Sequence, residues 1–67
     1  MSIAKIIEIK ASSDKSMEDA VRNGLKKVAE TVKNVKGAYI KETTVTTDGQ
    51  GNVIEWRVDL KVTFLVE

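Results

Sequence analysis

The sequence contains no cysteine and no histidine. Disulfides are therefore excluded, and so are the usual zinc and iron ligand sets. The commonest general acid–base side chain and a frequent nucleophile are missing too, so no catalytic residues, no metal ligands and no enzymatic activity are expected. A marked excess of charge of either sign is also missing. Eleven Lys and Arg stand against ten Asp and Glu, a formal net charge of +1. Both signs are spread along the chain, without the basic patch or stripe of a nucleic-acid binder. No apolar run approaches the ~20 residues of a membrane span. Met1 to Lys10 lacks the small-residue cleavage site of a signal peptide and already has the pattern of a strand. With no Cys to oxidise, the cytoplasm is the expected location.

What is present is short. Sixty-seven residues make one domain, 1–67. A domain of this size buries only about 60% of the surface its unfolded chain exposes. Without disulfides or a metal, association is the remaining device, and a homo-oligomer is expected.

Along the chain, Ile3, Ile7 and Ile9 fall on one side of a period-two pattern, and Ala4, Glu8 and Lys10 on the other with Ile6. This is a half-buried strand, Ile3 to Lys10. Ala11 to Ser16 follows as a polar turn, in which Ser16 and Asp19 form a capping-box-like start to a helix. From Met17, the residues Ala20, Val21, Leu25, Val28, Ala29 and Val32 make one helical stripe. Gly37 is expected as the left-handed cap that ends it. Gly24 interrupts the helix, which points to close approach of another backbone. Ala38 to Thr47 is rich in strand formers, and Asp48-Gly49-Gln50-Gly51-Asn52 is a turn. Val53 to Val66 then alternates, with Ile54, Trp56, Val58, Leu60, Val62, Phe64 and Val66 on one face.

The last strand is the longest and most apolar and is expected at the centre of the sheet. The fold class is α+β: β-α-β-β, a three-stranded antiparallel sheet of order 1-3-2 around one helix. A strand from Val53 to Val66 extends about 45 Å, whereas a helix of roughly 20 residues spans about 30 Å. The helix cannot cover the whole apolar face. Either the strand curls, or another subunit buries its overhang, or both.

Candidate sites are few. Ser12, Ser13 and Ser16 precede the helix and are better read as caps than as nucleophiles. The 48–52 loop lacks the bidentate Glu and the flanking helices of a calcium loop, and its G-x-G precedes a strand, not the helix of a phosphate site. Trp56 lies in the helix-facing register. Tyr39, placed beside Lys41 and Thr43, is the better exposed aromatic. Arg57 lies on the polar face of the last strand between Glu55 and Asp59, where it is read either as half of a cross-strand salt bridge or as a fork for a carbonyl, carboxylate or phosphate.

In four stretches the chain resembles the dodecins. These are Lys5-Ile6-Ile7-Glu8-Ile9, then Ser13-x-x-Ser16-Met17-Glu18-Asp19-Ala20-Val21-x-Asn23, then Thr31-Val32-x-Asn34-Val35, and finally Glu55-Trp56-Arg57-Val58-x-Leu60-x-Val62-x-Phe64. The resemblance implies a subunit whose sheet wraps its helix, twelve copies closing into a hollow shell, and a storage or buffering role. It also implies a small-molecule ligand at subunit junctions, commonly a flavin (riboflavin, FMN or FAD), stacked between tryptophans and read at its edge by a glutamine. Here Gly37 stands at the position of the stacking Trp and Arg57 at that of the glutamine. These two are the expected cofactor-binding positions, both substituted. The alternative is a dodecin-type assembly that has lost flavin and serves as a shell, or takes another anion or a metal ion.

Overall fold

A computed structural model describes residues 3–66. The ends of the expected domain, Met1, Ser2 and Glu67, lie outside the described residues. The order is β1 (Ile3–Ser13), α1 (Met17–Ala29), β2 (Val35–Thr47) and β3 (Val53–Val66). The sheet is antiparallel with β3 between β1 and β2, order β1-β3-β2, as the alternation of β3 predicts.

β3 centres the core because its apolar residues, Val53 and Leu65 excepted, fall on one side. Val58, Leu60 and Val62 are buried together with Ala20 of α1, and Ile7, Ile9, Val21, Leu25 and Val28 pack around them. Helix α1 lies across β1 and β3 and leaves β2 almost wholly exposed along its length. Its start is the predicted one: the Asp19 N–H donates to Ser16 Oγ at 2.9 Å. The box is only half formed, because Asp19's carboxylate accepts instead from Ser13 Oγ at 2.6 Å and from Asn23 at 3.0 Å. Ser13 therefore does not belong to a free turn. It closes β1, opposite Trp56, and ties that strand to the helix start.

The helix end differs from expectation. α1 has 13 residues and is capped at Glu30, so it spans about 20 Å. The left-handed residue is Asn34, φ 63°, not Gly37. Asparagine tolerates that region better than most residues, so the chain reverses three residues early. The Asn34 carbonyl then accepts from Leu65 N–H at 3.1 Å, which starts β2 at Val35 and not at Ala38. Gly37 becomes a strand residue opposite Thr63, just past a register shift.

β2 and β3 pair with register shifts at Val35/Gly37, Ile40/Glu42 and Thr46/Thr47, whereas β1 and β3 pair without a break. Such bulges increase local twist and let long strands curl. They also change faces. Tyr39 pairs with Lys61, but past Lys41 it is Glu42 and Thr44 that sit opposite Asp59 and Arg57. Tyr39 and Thr43 thus do not share a face, contrary to strict alternation. At the hairpin, Gly49 and Gly51 take positive φ. Asp48 accepts from the backbone of Gln50 and Asn52 and from the Asn52 side chain, and these bonds, the Asn52 side chain's first, hold its carboxyl below the ordinary value.

Gly24 is explained by a close approach, although to side chains. A Cβ there would stand 2.9 Å from the Ala11 Cβ and 3.4 Å from the Ile9 Cδ1. Alanine would gain about 1 kcal/mol of helix propensity, but the Ala11 Cβ is fixed to its strand and cannot swing aside. Moving helix from sheet costs about 1–3 kcal/mol, so overpacking is expected to win. Gly24→Ala is expected to lower the urea midpoint, and a raised midpoint would show that the helix shifts freely.

Candidate ligand-binding site

The site is built on the polar face of the sheet, away from the helix. Three strands bring their outward residues into rows there: Ser12–Arg57–Thr44, then Lys10–Asp59–Glu42, then Glu8–Lys61–Tyr39, then Ile6–Thr63–Gly37. The first two rows, with Glu55 and the backbone near Ala11 and Val58, line a groove of about 360 Å³.

Arg57 stands in this groove and is mostly exposed. Its Nε donates to Glu55 Oε1 at 2.6 Å. The bridge runs along β3, not across strands, and Glu55 is the one acid within ion-pair distance of Arg57 among the described residues. Asp59, the acid on the other side of Arg57 along β3, makes no ion pair with it. An exposed pair of this kind contributes about 0–1 kcal/mol, so Arg57 can exchange it for a ligand.

Asp59 and Glu8 form the second polar feature. Asp59 Oδ1 is shut off from solvent and has no hydrogen-bond partner. Its carboxyl is pushed above the ordinary 3.8, by loss of solvent first and by the neighbouring Glu8 carboxylate next. Glu8 is held below its ordinary value first by the hydrogen bond that a protonated Asp59 would donate to it, then by the charge of Lys41, whose Nζ lies 3.4 Å from Glu8 Oε2. Sequence reasoning missed this pair. The 1-3-2 order and the alternation put both carboxylates on one face, and that much could have been read.

Gly37 sits in the last row, beside Thr63 and near Ile6, and the space where its Cβ would lie is open to 4 Å. From Thr63 to Arg57 is six residues of β3, about 20 Å. One chain therefore does not bring Gly37 and Arg57 together. Trp56 lies on the opposite, helix-side face against Val45 and Ser13, half-buried, and does not replace a plate at Gly37. Tyr39 is 66% exposed.

The sequence profile of the Dodecin family matches residues 3–67. The chain belongs to the dodecin family. Its fold is similar to that of a Thermus thermophilus dodecin, crystallised as an Arg-to-Ala mutant, with TM-score 0.91, 27% identity, and 100% of this chain and 98% of that one covered. Streptomyces coelicolor dodecin matches at TM-score 0.90 with 23% identity, over 98% of this chain and 93% of that one, a likeness of fold alone. A calcium dodecin from Mycobacterium tuberculosis, described as calcium-chelating with a novel calcium-binding site, matches at TM-score 0.81 with 25% identity, over 97% and 91%. No curated protein matches the sequence. Among the described residues no helix is long and apolar enough to cross a membrane.

Proposed function

We propose that this chain is the subunit of a closed homo-oligomer, twelve copies by family likeness, that binds and stores or sequesters a small planar or anionic molecule without transforming it. Membership of the dodecin family over nearly the whole chain carries this reading. Two features of the subunit support it. The polar face offers a groove with an exchangeable guanidinium, and the apolar face extends beyond its helix. The cytoplasm is the expected place for a chain without cysteine.

Flavin is the family's default ligand, and this chain fits it poorly. No aromatic stands at Gly37, which forgoes about 0.5–1.5 kcal/mol of stacking beyond buried area. Arg57 has donors only and cannot accept from a flavin imide N–H. Copies of the chain would have to meet for Gly37 and Arg57 to frame one ligand. In such a junction Arg57 favours an anionic group, a phosphorylated cofactor or a simple oxyanion.

The test is a titration of riboflavin and FMN into the protein beside a Gly37→Trp, Arg57→Gln double variant. Gly37 has open space and no positive φ, so the Trp should be tolerated. Plate and amide together should tighten riboflavin at least about tenfold. Equal affinity, with full fluorescence quenching by the unmodified protein, would refute the assignment of these two positions.

A second reading, in which the assembly takes a metal ion, is suggested by the calcium-chelating relative. Within one chain it finds no support. No group of three or more acids is placed to hold a metal among the described residues, so calcium ligands would have to come from several copies.

A further inference from the structure

We propose that Glu8 and Asp59 hold one proton between them on the polar face of the sheet, and that this shared proton is a pH switch for the charge of the groove beside it.

The geometry sets the pair apart from the other acids. Asp59 lies on the central strand and lines the groove, and Glu8 lies beside it on β1, one row along. Asp59 Oδ1 reaches neither solvent nor a donor. An ionised carboxylate there leaves its Oδ1 with neither hydration nor a hydrogen bond, which is costly. A proton placed between the two groups removes one charge, supplies the missing donor and ends the repulsion between neighbouring carboxylates. Asp59 is the group that holds it. Glu8 remains the acceptor because Lys41 and Lys61 stand next to it.

The other charged groups facing the pair are Lys10 on β1 and Glu42 on β2, both opposite Asp59, and Arg57 on β3 with its partner Glu55. α1 packs on the other face of the sheet and adds none. With every group ionised, Lys10, Lys41, Lys61 and Arg57 balance Glu8, Glu42, Glu55 and Asp59 one for one. The shared proton leaves this face one positive charge in excess, beside the guanidinium proposed to meet an anion. That consequence for the ligand rests on the function proposed above, whereas the proton itself does not.

The sign of the stability effect follows from linkage. Asp59 binds its proton more tightly folded than unfolded, so stability falls as pH rises from the ordinary Asp value through that of the folded Asp59. Glu8 has the opposite sign, in a lower window. The proton therefore favours the folded sheet on the acid side.

The experiment is a carboxyl ¹³C NMR titration of the assembled protein, labelled at Asp and Glu, beside Glu8→Gln and Asp59→Asn. In the unmodified protein Asp59 should titrate above the ordinary range and Glu8 below it. Glu8→Gln should return Asp59 toward the ordinary value. Asp59→Asn keeps a donor toward Glu8 at every pH, so its thermal midpoint should exceed the parent's at about pH 7 and converge with it near pH 4. Ordinary titration of both groups, or a lower midpoint for Asp59→Asn at neutral pH, would overturn the shared proton. Sulfate, whose charge is fixed over this range, tests the ligand consequence. Its affinity should rise as the parent takes up the proton, and rise less over the same pH range in Asp59→Asn. A normal pair with no sulfate binding would sink both ideas. A shared proton with pH-independent sulfate binding would sink only the link to the groove.

Discussion

Leu60→Ala is expected to unfold the isolated subunit. Leu60 is fully buried, midway along the central strand, paired with Ile9 on one side and Ile40 on the other. A buried Leu→Ala change costs about 2–5 kcal/mol in lost transfer energy and residual cavity. A single core in a chain under about 70–80 residues rarely supplies more than about 3–5 kcal/mol. The neighbours cannot collapse into the gap, since they belong to two strands held by the ladder and to a helix already touching Ala11 across Gly24. The loss should be seen as absent far-UV circular dichroism structure, or a midpoint depressed by tens of degrees where assembly still rescues the fold. A midpoint within a few degrees of the parent would mean that the core is not the main source of stability. Ile54→Ala, on the same face of the same strand but 52% exposed, should leave the subunit folded.

The contrast between Leu60 and Ile54 also shows how far the sequence could be read. Alternation in β3 was enough for its central place, for the apolar face that holds Val58, Leu60 and Val62, and for Arg57 and Asp59 on the polar face, but not for which of the seven apolar residues are buried. Alternation gives faces but not lengths. The stripe of α1 continues through Val32, and Gly37 looks like the natural stop, so the helix was expected to be half as long again. The deciding event was Asn34 taking the left-handed conformation, which depends on Leu65 reaching its carbonyl, a contact 31 residues away in sequence that no local rule contains. Likewise Ser12 and Ser13 look like turn residues, but unbroken pairing with Arg57 and Trp56 carries β1 through them. The bulge at Lys41 is the third such case. It reversed the faces of Glu42 to Thr46 relative to Tyr39, and a bulge in a Thr-rich strand has no signature in one sequence. The candidate site was legible to the extent that it lies on β3. Arg57's actual partner and the Glu8–Asp59 pair required knowing which strands lie side by side.

The shorter helix sharpens the case for association, and Ile54→Lys is the variant that tests it. The molecule is 53 Å long, and a helix of about 20 Å covers less than half of that length. At the hairpin end Ile54, Val45 and Val53 are 52%, 48% and 41% exposed, and β2 beside them is bare on both faces and unpaired along its outer edge. Exposed apolar strands at an open edge are a template for aggregation unless something covers them. A second copy is the cover available to every molecule. Full burial of one such side chain contributes about 1.5–3 kcal/mol, and closed symmetry repeats that gain at every equivalent interface. Lysine at position 54 removes the gain and asks for burial of a charge, at several kcal/mol per copy, while no residue of the buried core around Leu60 is changed. The expected result by native mass spectrometry at micromolar concentration is loss of the large oligomer, with dissociated subunits that are folded weakly or not at all. An unmodified protein that is a folded monomer under those conditions would refute association outright. A variant that stays fully assembled would show that the hairpin end faces solvent in the oligomer. The interface would then have to lie along β2 and the exposed apolar residues at the other end of the sheet, Ile3 and Val66.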